Sequence, residues 1–258
     1  LVTTTIAILL VQDGLLTLSL PVAYYIPEFA HGGKEAITLE HLLIHESGIE
    51  DVHFYKTGEP LEEGFKKLCL YQANNPPGVF HCYSDVNMIL LQHCIERVTG
   101  LTLDQAFDHY VLSRLPEAKA QFNPADTKHC APTEKDLQGI VQDRQAQALG
   151  GVAGHAGLFA RACDVAQIGE LWALQQLPVS STVIDDWTQK RGSENRAYGW
   201  EVGRYWGPKS YGHLGWTGTS LTIDPEHKLV SVLLTNRTYP DDTNFAIRQF
   251  RVLFHAAV

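Results

Sequence analysis

Apolar residues at the start of the chain recur with the spacing of a helix. Val2, Ile6 and Leu9 lie at positions i, i+4 and i+7, which places them on one face of a helix. Gly14 follows, and a glycine beyond the last apolar position is a frequent helix end. The pattern therefore predicts a helix from the first residues to about Gly14, with no capping side chain before Leu1.

Further helices are predicted along the first two thirds of the chain. The segment ITLEHLLIHESGI predicts a helix that is capped by Thr38 and ends at Gly48. A longer helix begins at Ser84 or Asp85, either of which can cap it, and ends at Gly100. The segment LTLDQAFDHYVLSRL predicts another short helix.

The pattern changes in the last quarter of the chain. Short segments rich in β-branched and aromatic residues alternate with turn residues, in AYGWEVGRYW, KSYGHLG, TSLTIDP and KLVSVLLTN. They predict an antiparallel meander, and a last helix is expected at about Asp242 to Ala257. Helices followed by strands indicate an α+β fold. We expect one domain over residues 1–258, with a mainly helical lobe at about 20–190 and the strands and last helix at about 195–258.

Composition and charge narrow the possible functions. The 258 residues, 45% of them hydrophobic, are enough for a sizeable core. The net charge of −9 argues against a nucleic-acid partner. The most apolar early run, Ile6 to Val11, is far shorter than the roughly 20 residues of a membrane span, so no span is expected.

The cysteines and histidines do not form a recognisable metal motif. The cysteines have no CxxC pair, which predicts mostly reduced, buried thiols: Cys69, Cys82, Cys94, Cys130 and Cys163. His41 and His45 are four residues apart on a predicted helix, but no HExxH accompanies them. We interpret them as helix-surface or capping histidines, and we expect no metal and no cofactor.

Three segments contain candidate chemistry. Tyr83, in YSD, lies at a loop-to-helix junction, where the helix dipole and a nearby cation would lower its pKa and make it a general base. In GHLGWTGTS, the glycines allow close approach of a ligand and His213 adds a polar or cationic side chain. In LGGVAGHAGLF, a tight loop precedes a helix, and His155 either reaches a site or packs. Taken alone, the first two segments are more often a packed tyrosine and an ordinary strand turn.

Together, in this order, these segments resemble those of the beta-lactamase-like serine hydrolases, which include class C beta-lactamases, D-alanyl-D-alanine carboxypeptidases and related esterases. DGLLTLSLPVAYYIPEF followed by ITLEHLLIHESGI resembles the stretch after that family's nucleophile helix. YSD lies where the family has Tyr-x-Asn, and HLG lies where it has Lys-Thr-Gly or His-x-Gly. APTE and GGVAGHAGLF resemble a branch with penicillin-binding-protein-like members. The resemblance covers essentially the whole chain.

The resemblance implies a beta-lactamase/transpeptidase-like fold, an antiparallel sheet flanked by helices, with the N-terminal strands of that fold missing. It implies hydrolysis of a small ester, amide or peptide substrate through an acyl-enzyme. By position, Tyr83 would be the general acid/base, and His213 would replace the family's third-motif cation. The Trp216 N–H would form half of an oxyanion hole. The corresponding substrate-binding positions are Asp85, Gly215, Trp216 and His155.

The chain departs from the family at several positions. Asp85 replaces an asparagine and cannot donate a hydrogen bond when ionised, and His213 replaces a lysine and attracts anions less strongly. Both changes favour an esterase or peptidase-like hydrolase over an efficient beta-lactamase. In QDRQA only Asp143 and Ala146 match the related branch, which leaves the role of that loop open.

The largest departure concerns the nucleophile. Aligning the end of the family's nucleophile helix on Gly14 places Ser-x-x-Lys before Leu1, and none of the serines in the chain has a lysine three residues later. We expect a fragment of an active enzyme that is itself inactive; the alternative is a noncatalytic homologue that binds a peptidoglycan-like or peptide ligand. Without its neighbouring strands, KLVSVLLTN becomes a sheet edge, so self-association through it is expected.

Overall fold

The computed structural model describes residues 1–257. Its α-helices are α1 (Val2–Gln12), α2 (Val22–Tyr25), α3 (Leu39–Leu43), α4 (Leu61–Leu70), α5 (Asp85–Thr99), α6 (Leu103–Tyr110), α7 (Arg144–Ala148), α8 (Ala162–Ala173), α9 (Ser181–Thr188) and α10 (Ile247–Ala256). Short 3-10 helices span Pro27–Phe29 and Leu112–Arg114. The strands are β1 (Gln121–Phe122), β2 (Leu158–Phe159), β3 (Arg196–Ala197), β4 (Trp200–Val202), β5 (Tyr211–Leu214), β6 (Ser220–Asp224) and β7 (Leu229–Leu233).

Strands β3 to β7 form one antiparallel sheet in sequence order. This arrangement confirms the predicted meander and the α+β class. A separate pair, β1 and β2, lies within the mainly helical part and was not predicted. Within residues 1–257, β7 pairs only with β6, so it is an edge strand as expected. Helix α8 packs on β6 and β7.

Helix α1 lies in the centre of the molecule. It ends at Gln12, close to the predicted Gly14, but every residue from Val2 to Leu10 is buried. The apolar pattern predicts burial of one face only, so it underestimates the burial of α1. The threonines of α1 can be buried because their hydroxyls form hydrogen bonds. Thr3 donates to the Gly154 carbonyl oxygen (2.5 Å). Thr4 accepts from the Trp187 indole (2.9 Å), which ties α1 to α9.

Helix ends follow the local backbone. Ser84 caps α5, and Gly100 ends it with a φ of +68°, both as predicted. Thr38 caps α3 as predicted, but α3 ends at Leu43 rather than Gly48, because His45 already has a left-handed φ of +58°. The last helix begins at Ile247, not at about residue 242, since the preceding residues form side-chain-bonded turns.

The largest hydrophobic cluster is shared between the helical part and the sheet, and it includes α1, α5, α8 and β6. The expectation of mostly buried cysteines was wrong: Cys69 and Cys94 are buried, whereas Cys163 is exposed. No helix in the described part of the chain has the length and apolar character needed to cross a bilayer.

Candidate active site

Tyr83 lies just before α5 and faces a group of basic and aromatic side chains. Its ring stacks on the His45 ring, with centroids 4.5 Å apart, and its centroid is 6.3 Å from that of His213. The guanidinium carbon of Arg196 lies 5.4 Å from the Tyr83 ring centroid. Tyr83 remains 47% exposed. The fold thus brings together the two positions that the sequence analysis selected as catalytic.

His45 fixes the segment that carries Tyr83. Its Nδ1 accepts from the Ser84 N–H (3.3 Å) and contacts the Asn87 side-chain amide (3.1 Å), and its carbonyl accepts from the Cys82 N–H (2.8 Å). Burial, together with the charge of Arg196, holds the pKa of His45 well below its usual value. A neutral imidazole therefore stacks on the Tyr83 ring. The sequence analysis missed this role because it treated His45 as a helix-surface or capping residue.

His213 is also neutral at physiological pH. Its Nδ1 donates to the Leu214 carbonyl (2.9 Å), and its Nε2 lies 3.4 Å from a guanidinium nitrogen of Arg196. Burial lowers the pKa of His213; Glu201 opposes this shift, while the charge of Arg196 adds to it. Of the polar and cationic forms that the sequence analysis left open for His213, the lowered pKa favours the polar, neutral form near pH 7.

The phenol of Tyr83 is held in its protonated form. Burial and the negative charge of Asp85 raise its pKa to about 12, and Arg196 acts in the opposite direction. The expectation that the helix start would lower this pKa was wrong, because burial, together with the charge of Asp85, outweighs the charge of Arg196. Tyr83 as it stands is a hydrogen-bond donor and a proton source, not a base.

Arg196 was not among the predicted site residues. It lies on β3 directly opposite Glu201 on β4, and the two side chains form an ion pair with a 3.4 Å separation. The Glu201 carboxylate also forms an ion pair with Arg204, with a separation of 2.6 Å. An arginine just before a short predicted strand is normally a surface residue. The only sequence signal for its place in the site is the pair of opposite charges at positions 196 and 201.

His155 lies between two carboxylates. Its Nε2 is 2.8 Å from the Asp143 carboxylate and 3.9 Å from that of Asp85, and its side chain is only 4% exposed. Burial raises the pKa of Asp85, an effect that Asp143 reinforces and His155 opposes. For Asp143, burial is outweighed by the hydrogen bond and charge of His155, so the pKa of Asp143 is lowered. The structure thus places His155 beside Asp85, two residues after Tyr83; their role in substrate binding stays a prediction.

The loop that carries His155 is fixed by its neighbours. The Gly154 carbonyl accepts a hydrogen bond from the Thr3 hydroxyl of α1. The Gly154 N–H donates to the side-chain oxygen of Gln92 on α5 (2.8 Å). A Cβ at Gly154 would lie 2.0 Å from the Met88 carbonyl oxygen. Asp143 also caps α7 through the Ala146 N–H (2.7 Å). This gives the QDRQA loop a role that the sequence left open: it orients His155.

The same three side chains are the only set in the described residues with metal-ligand spacing. One ligand atom each from Asp85, Asp143 and His155 lies within 4.8 Å of the others. The imidazole nitrogen that faces the carboxylates is already hydrogen-bonded to Asp143. We therefore describe the set as a hydrogen-bonded cluster and assign no metal to it.

Gly215 and Trp216 form the turn after β5. The Gly215 N–H donates to the Thr219 carbonyl (2.7 Å), and a Cβ at Gly215 would lie 2.1 Å from the Thr219 hydroxyl. Trp216 is 58% exposed, and its carbonyl accepts from Arg237 (2.7 Å). Among residues 1–257, no backbone carbonyl accepts from the Trp216 N–H. The half of an oxyanion hole that the resemblance assigns to this N–H stays a prediction.

A serine–histidine contact elsewhere does not form a second active site. Ser220 is 2.8 Å from His255, whose other ring nitrogen is 3.0 Å from Ser231. All three residues are buried between the sheet and α10. A substrate cannot reach this serine without displacing the helix, so the contact is structural.

Two curated proteins are similar to this chain in sequence. An Escherichia coli protein named "Putative D-alanyl-D-alanine carboxypeptidase" is 30% identical over 84% of this chain and 62% of its own length. The N-acetylmuramyl-L-alanine amidase of Bacillus subtilis is 28% identical over 89% of this chain and 64% of its own length. The chain thus spans less than two thirds of the length of these curated relatives.

Solved structures share the fold. EstCE1, a hydrolase with promiscuous acyltransferase activity, superposes with a TM-score of 0.80 over 99% of this chain and 81% of its own, at 18% identity. The beta-lactamase/transpeptidase-like architecture implied by the resemblance is thereby confirmed. A family model described as Beta-lactamase matches residues 1–255, and the chain belongs to this family.

Proposed function

We propose that the chain carries the substrate cleft of a serine hydrolase that cleaves ester or peptide-like amide bonds through an acyl-enzyme. The observation that supports this most directly is the approach of Tyr83 to His213, whose ring centroids are 6.3 Å apart. The names of the relatives, a carboxypeptidase and an amidase, favour peptide-like amide substrates. The structural likeness to a hydrolase with acyltransferase activity favours acyl transfer.

Each side chain has a role in this proposal. The protonated Tyr83 gives its proton to the leaving group, and the Trp216 N–H stabilises the oxyanion of the tetrahedral intermediate. Neutral His213 orients the substrate by hydrogen bonding rather than by charge. Asp85 and His155, 3.9 Å apart, are assigned to substrate binding.

The 258 residues contain no Ser-x-x-Lys, so we propose that this polypeptide does not form an acyl-enzyme by itself. This same observation favours the second candidate function, a noncatalytic homologue that binds a peptide or peptidoglycan-like ligand in the cleft. The two candidates differ in one property: the first gains turnover when a nucleophile is supplied, and the second does not.

The test is a fusion that places a family segment with Ser-x-x-Lys directly before Leu1. We expect the fusion to hydrolyse p-nitrophenyl esters and D-alanyl-D-alanine peptides, and to hydrolyse a penicillin more slowly. In that fusion, Tyr83→Phe should lower kcat by ~10²–10⁴, the usual contribution of a general acid or base. Tyr24→Phe is the control, since Tyr24 is 67% exposed and outside the cleft.

Two outcomes would contradict the proposal. If Tyr83→Phe keeps near-full kcat in an active fusion, Tyr83 does not transfer the proton. If a folded fusion shows no turnover but both it and the 258-residue chain bind a D-alanyl-D-alanine peptide by calorimetry, the noncatalytic function is correct.

A further inference from the structure

Arg196 contacts both candidate catalytic residues at once. Its guanidinium carbon lies 5.4 Å from the centre of the Tyr83 ring, and one of its nitrogens lies 3.4 Å from His213 Nε2. The side chain is only 11% exposed, so its position is determined by the surrounding protein. Guanidinium remains protonated at any pH at which a protein is folded.

The positive charge of Arg196 is not fully neutralised. Its partner Glu201 is 3.4 Å away, and the same carboxylate is held more closely by Arg204, at 2.6 Å. Two arginines thus share one glutamate, and the three side chains carry a net charge of +1. Since His213 is neutral near pH 7, Arg196 is the charged group that lies directly against Tyr83.

We propose that Arg196 is a positioning residue for the hydrolysis: it holds the Tyr83 ring and stabilises the negative charge that forms on the Tyr83 oxygen. The proposal rests on the proposed function of Tyr83. The serine of the supplied Ser-x-x-Lys gives its proton to the neutral lysine as it attacks the acyl carbon; the bond to the leaving group then breaks and the Tyr83 O–H proton joins the leaving atom, which leaves a Tyr83 phenolate and a protonated lysine. In the second half-reaction, a water gives a proton to that phenolate while the water oxygen bonds to the acyl carbon; the acyl–serine bond then breaks, and the serine oxygen takes back the proton from the lysine. Arg196 lowers the free energy of the phenolate between these two steps.

The carboxylates around Tyr83 oppose the formation of its phenolate, so the phenolate needs a nearby positive charge. Burial is the largest contribution that raises the pKa of Tyr83, and the charges of Asp85 on α5, Glu201 on β4 and Asp51 in the preceding loop add to it. Arg196 on β3 is the cation that opposes them. His213 is subject to Glu201 and Arg196. Without Arg196, the Tyr83 phenol would lie among carboxylates with no opposing positive charge and would lose its proton far less readily.

The test measures ionisation in the 258-residue chain and needs no turnover. A difluorotyrosine at position 83, whose phenol ionises at lower pH, is titrated by ¹⁹F NMR at low ionic strength. Arg196→Gln should raise its pKa by roughly one unit, tenfold in the ionisation constant, as expected for loss of an opposite charge at this distance. The His213 pKa, followed by ¹⁵N NMR, should rise as well, because a repelling charge is removed. Arg196→Lys should reduce both shifts by half or more, since it keeps the charge.

A matched control is available outside the cleft. Arg191 lies over Tyr198, 4.1 Å from the ring centre, and Arg191→Gln should leave the Tyr83 pKa unchanged. If Arg196→Gln does not fold, Arg196→Met, which keeps an unbranched side chain without the charge, replaces it in the titration. Glu201→Gln removes a negative charge that raises the pKa of Tyr83 and should lower that pKa.

Equal Tyr83 pKa values in the parent, Arg196→Gln and Glu201→Gln chains would overturn the proposal. So would a shift that is equally large in Arg196→Lys and Arg196→Gln. Neither result depends on whether the fusion with Ser-x-x-Lys turns over substrate, so the two proposals fail separately.

Discussion

Asp143 is expected to contribute more to stability than its place as a helix cap suggests. One of its carboxylate oxygens accepts both from the Ala146 N–H at the start of α7 (2.7 Å) and from His155 (2.8 Å). An N-cap contributes about 1 kcal/mol, and a hydrogen bond to a charged group contributes about 1.5–3 kcal/mol. Asp143→Ala should therefore lower the free energy of unfolding by about 2.5–4 kcal/mol.

The assay is equilibrium urea unfolding, with two further variants. Asp143→Asn keeps an oxygen for both contacts and loses only the charge, so it should cost about 1 kcal/mol. Ser180→Ala removes an ordinary cap, the Val183 N–H bond at the start of α9, and should also cost about 1 kcal/mol. If Asp143→Ala costs no more than Ser180→Ala, the contact with His155 does not stabilise the fold and our reasoning about this cluster is wrong.

The pH dependence of the same comparison has a definite sign. The pKa of Asp143 is lower in the folded chain than its usual value, which is near 4 in an unfolded chain. The stabilisation is therefore complete above about pH 4 and is lost as the pH falls through the folded pKa. The difference between the parent and Asp143→Ala should be constant from pH 6 to 8 and should shrink in acid. A difference that grows in acid contradicts the assignment.

Three further predictions concern the parts that position the site. Thr4→Val leaves the Trp187 indole N–H and the Tyr198 carbonyl unpaired and should cost about 2–6 kcal/mol in urea unfolding; Thr188→Val, which removes only bonds to the preceding turn, should cost well under half as much. Gly154→Ala introduces a methyl 2.0 Å from the Met88 carbonyl oxygen and should lower the free energy of unfolding by about 1–3 kcal/mol in the same assay. An unchanged free energy of unfolding would show that the loop can shift without cost. Leu229→Lys, at a 41% exposed position on the edge strand β7, should raise the monomer fraction in sedimentation velocity, and an unchanged distribution would remove β7 from any self-association.

The elements with strong local signals could be predicted from the sequence. Helix α5 has a serine at its start and a glycine at its end, and both act as caps in the structure. The C-terminal strands are separated by turn residues, and they pair in sequence order. Local chemistry decides such features, so a single sequence contains the information.

Features that depend on distant contacts could not be predicted. The early end of α3 follows from the left-handed conformation of His45, whose ring packs on Tyr83. The pKa of Tyr83 was expected to fall and instead rises, because burial and Asp85 outweigh Arg196. Arg196 itself was missed, since only the folded sheet brings β3 and β5 to the loop before α5.

The resemblance to a known family supplied what residue patterns alone did not. Tyr83 and His213 were each more simply explained as packing or turn residues, and the family motifs singled them out. The fold then brought their ring centroids to 6.3 Å from each other, and it placed His155 3.9 Å from Asp85. The charge of the cleft still had to be determined from the structure, which assigns it to Arg196 rather than His213.

Covalent labelling tests the central claim most directly. The 258-residue chain and the fusion with Ser-x-x-Lys before Leu1 are each incubated with a fluorophosphonate and a fluorescent penicillin, and the intact masses are measured. We predict no adduct on the 258-residue chain and a single adduct on the introduced serine of the fusion. Stoichiometric labelling of any serine in the 258-residue chain, or a folded fusion that remains unlabelled by both probes, would contradict the claim that this cleft serves acyl transfer from a supplied nucleophile.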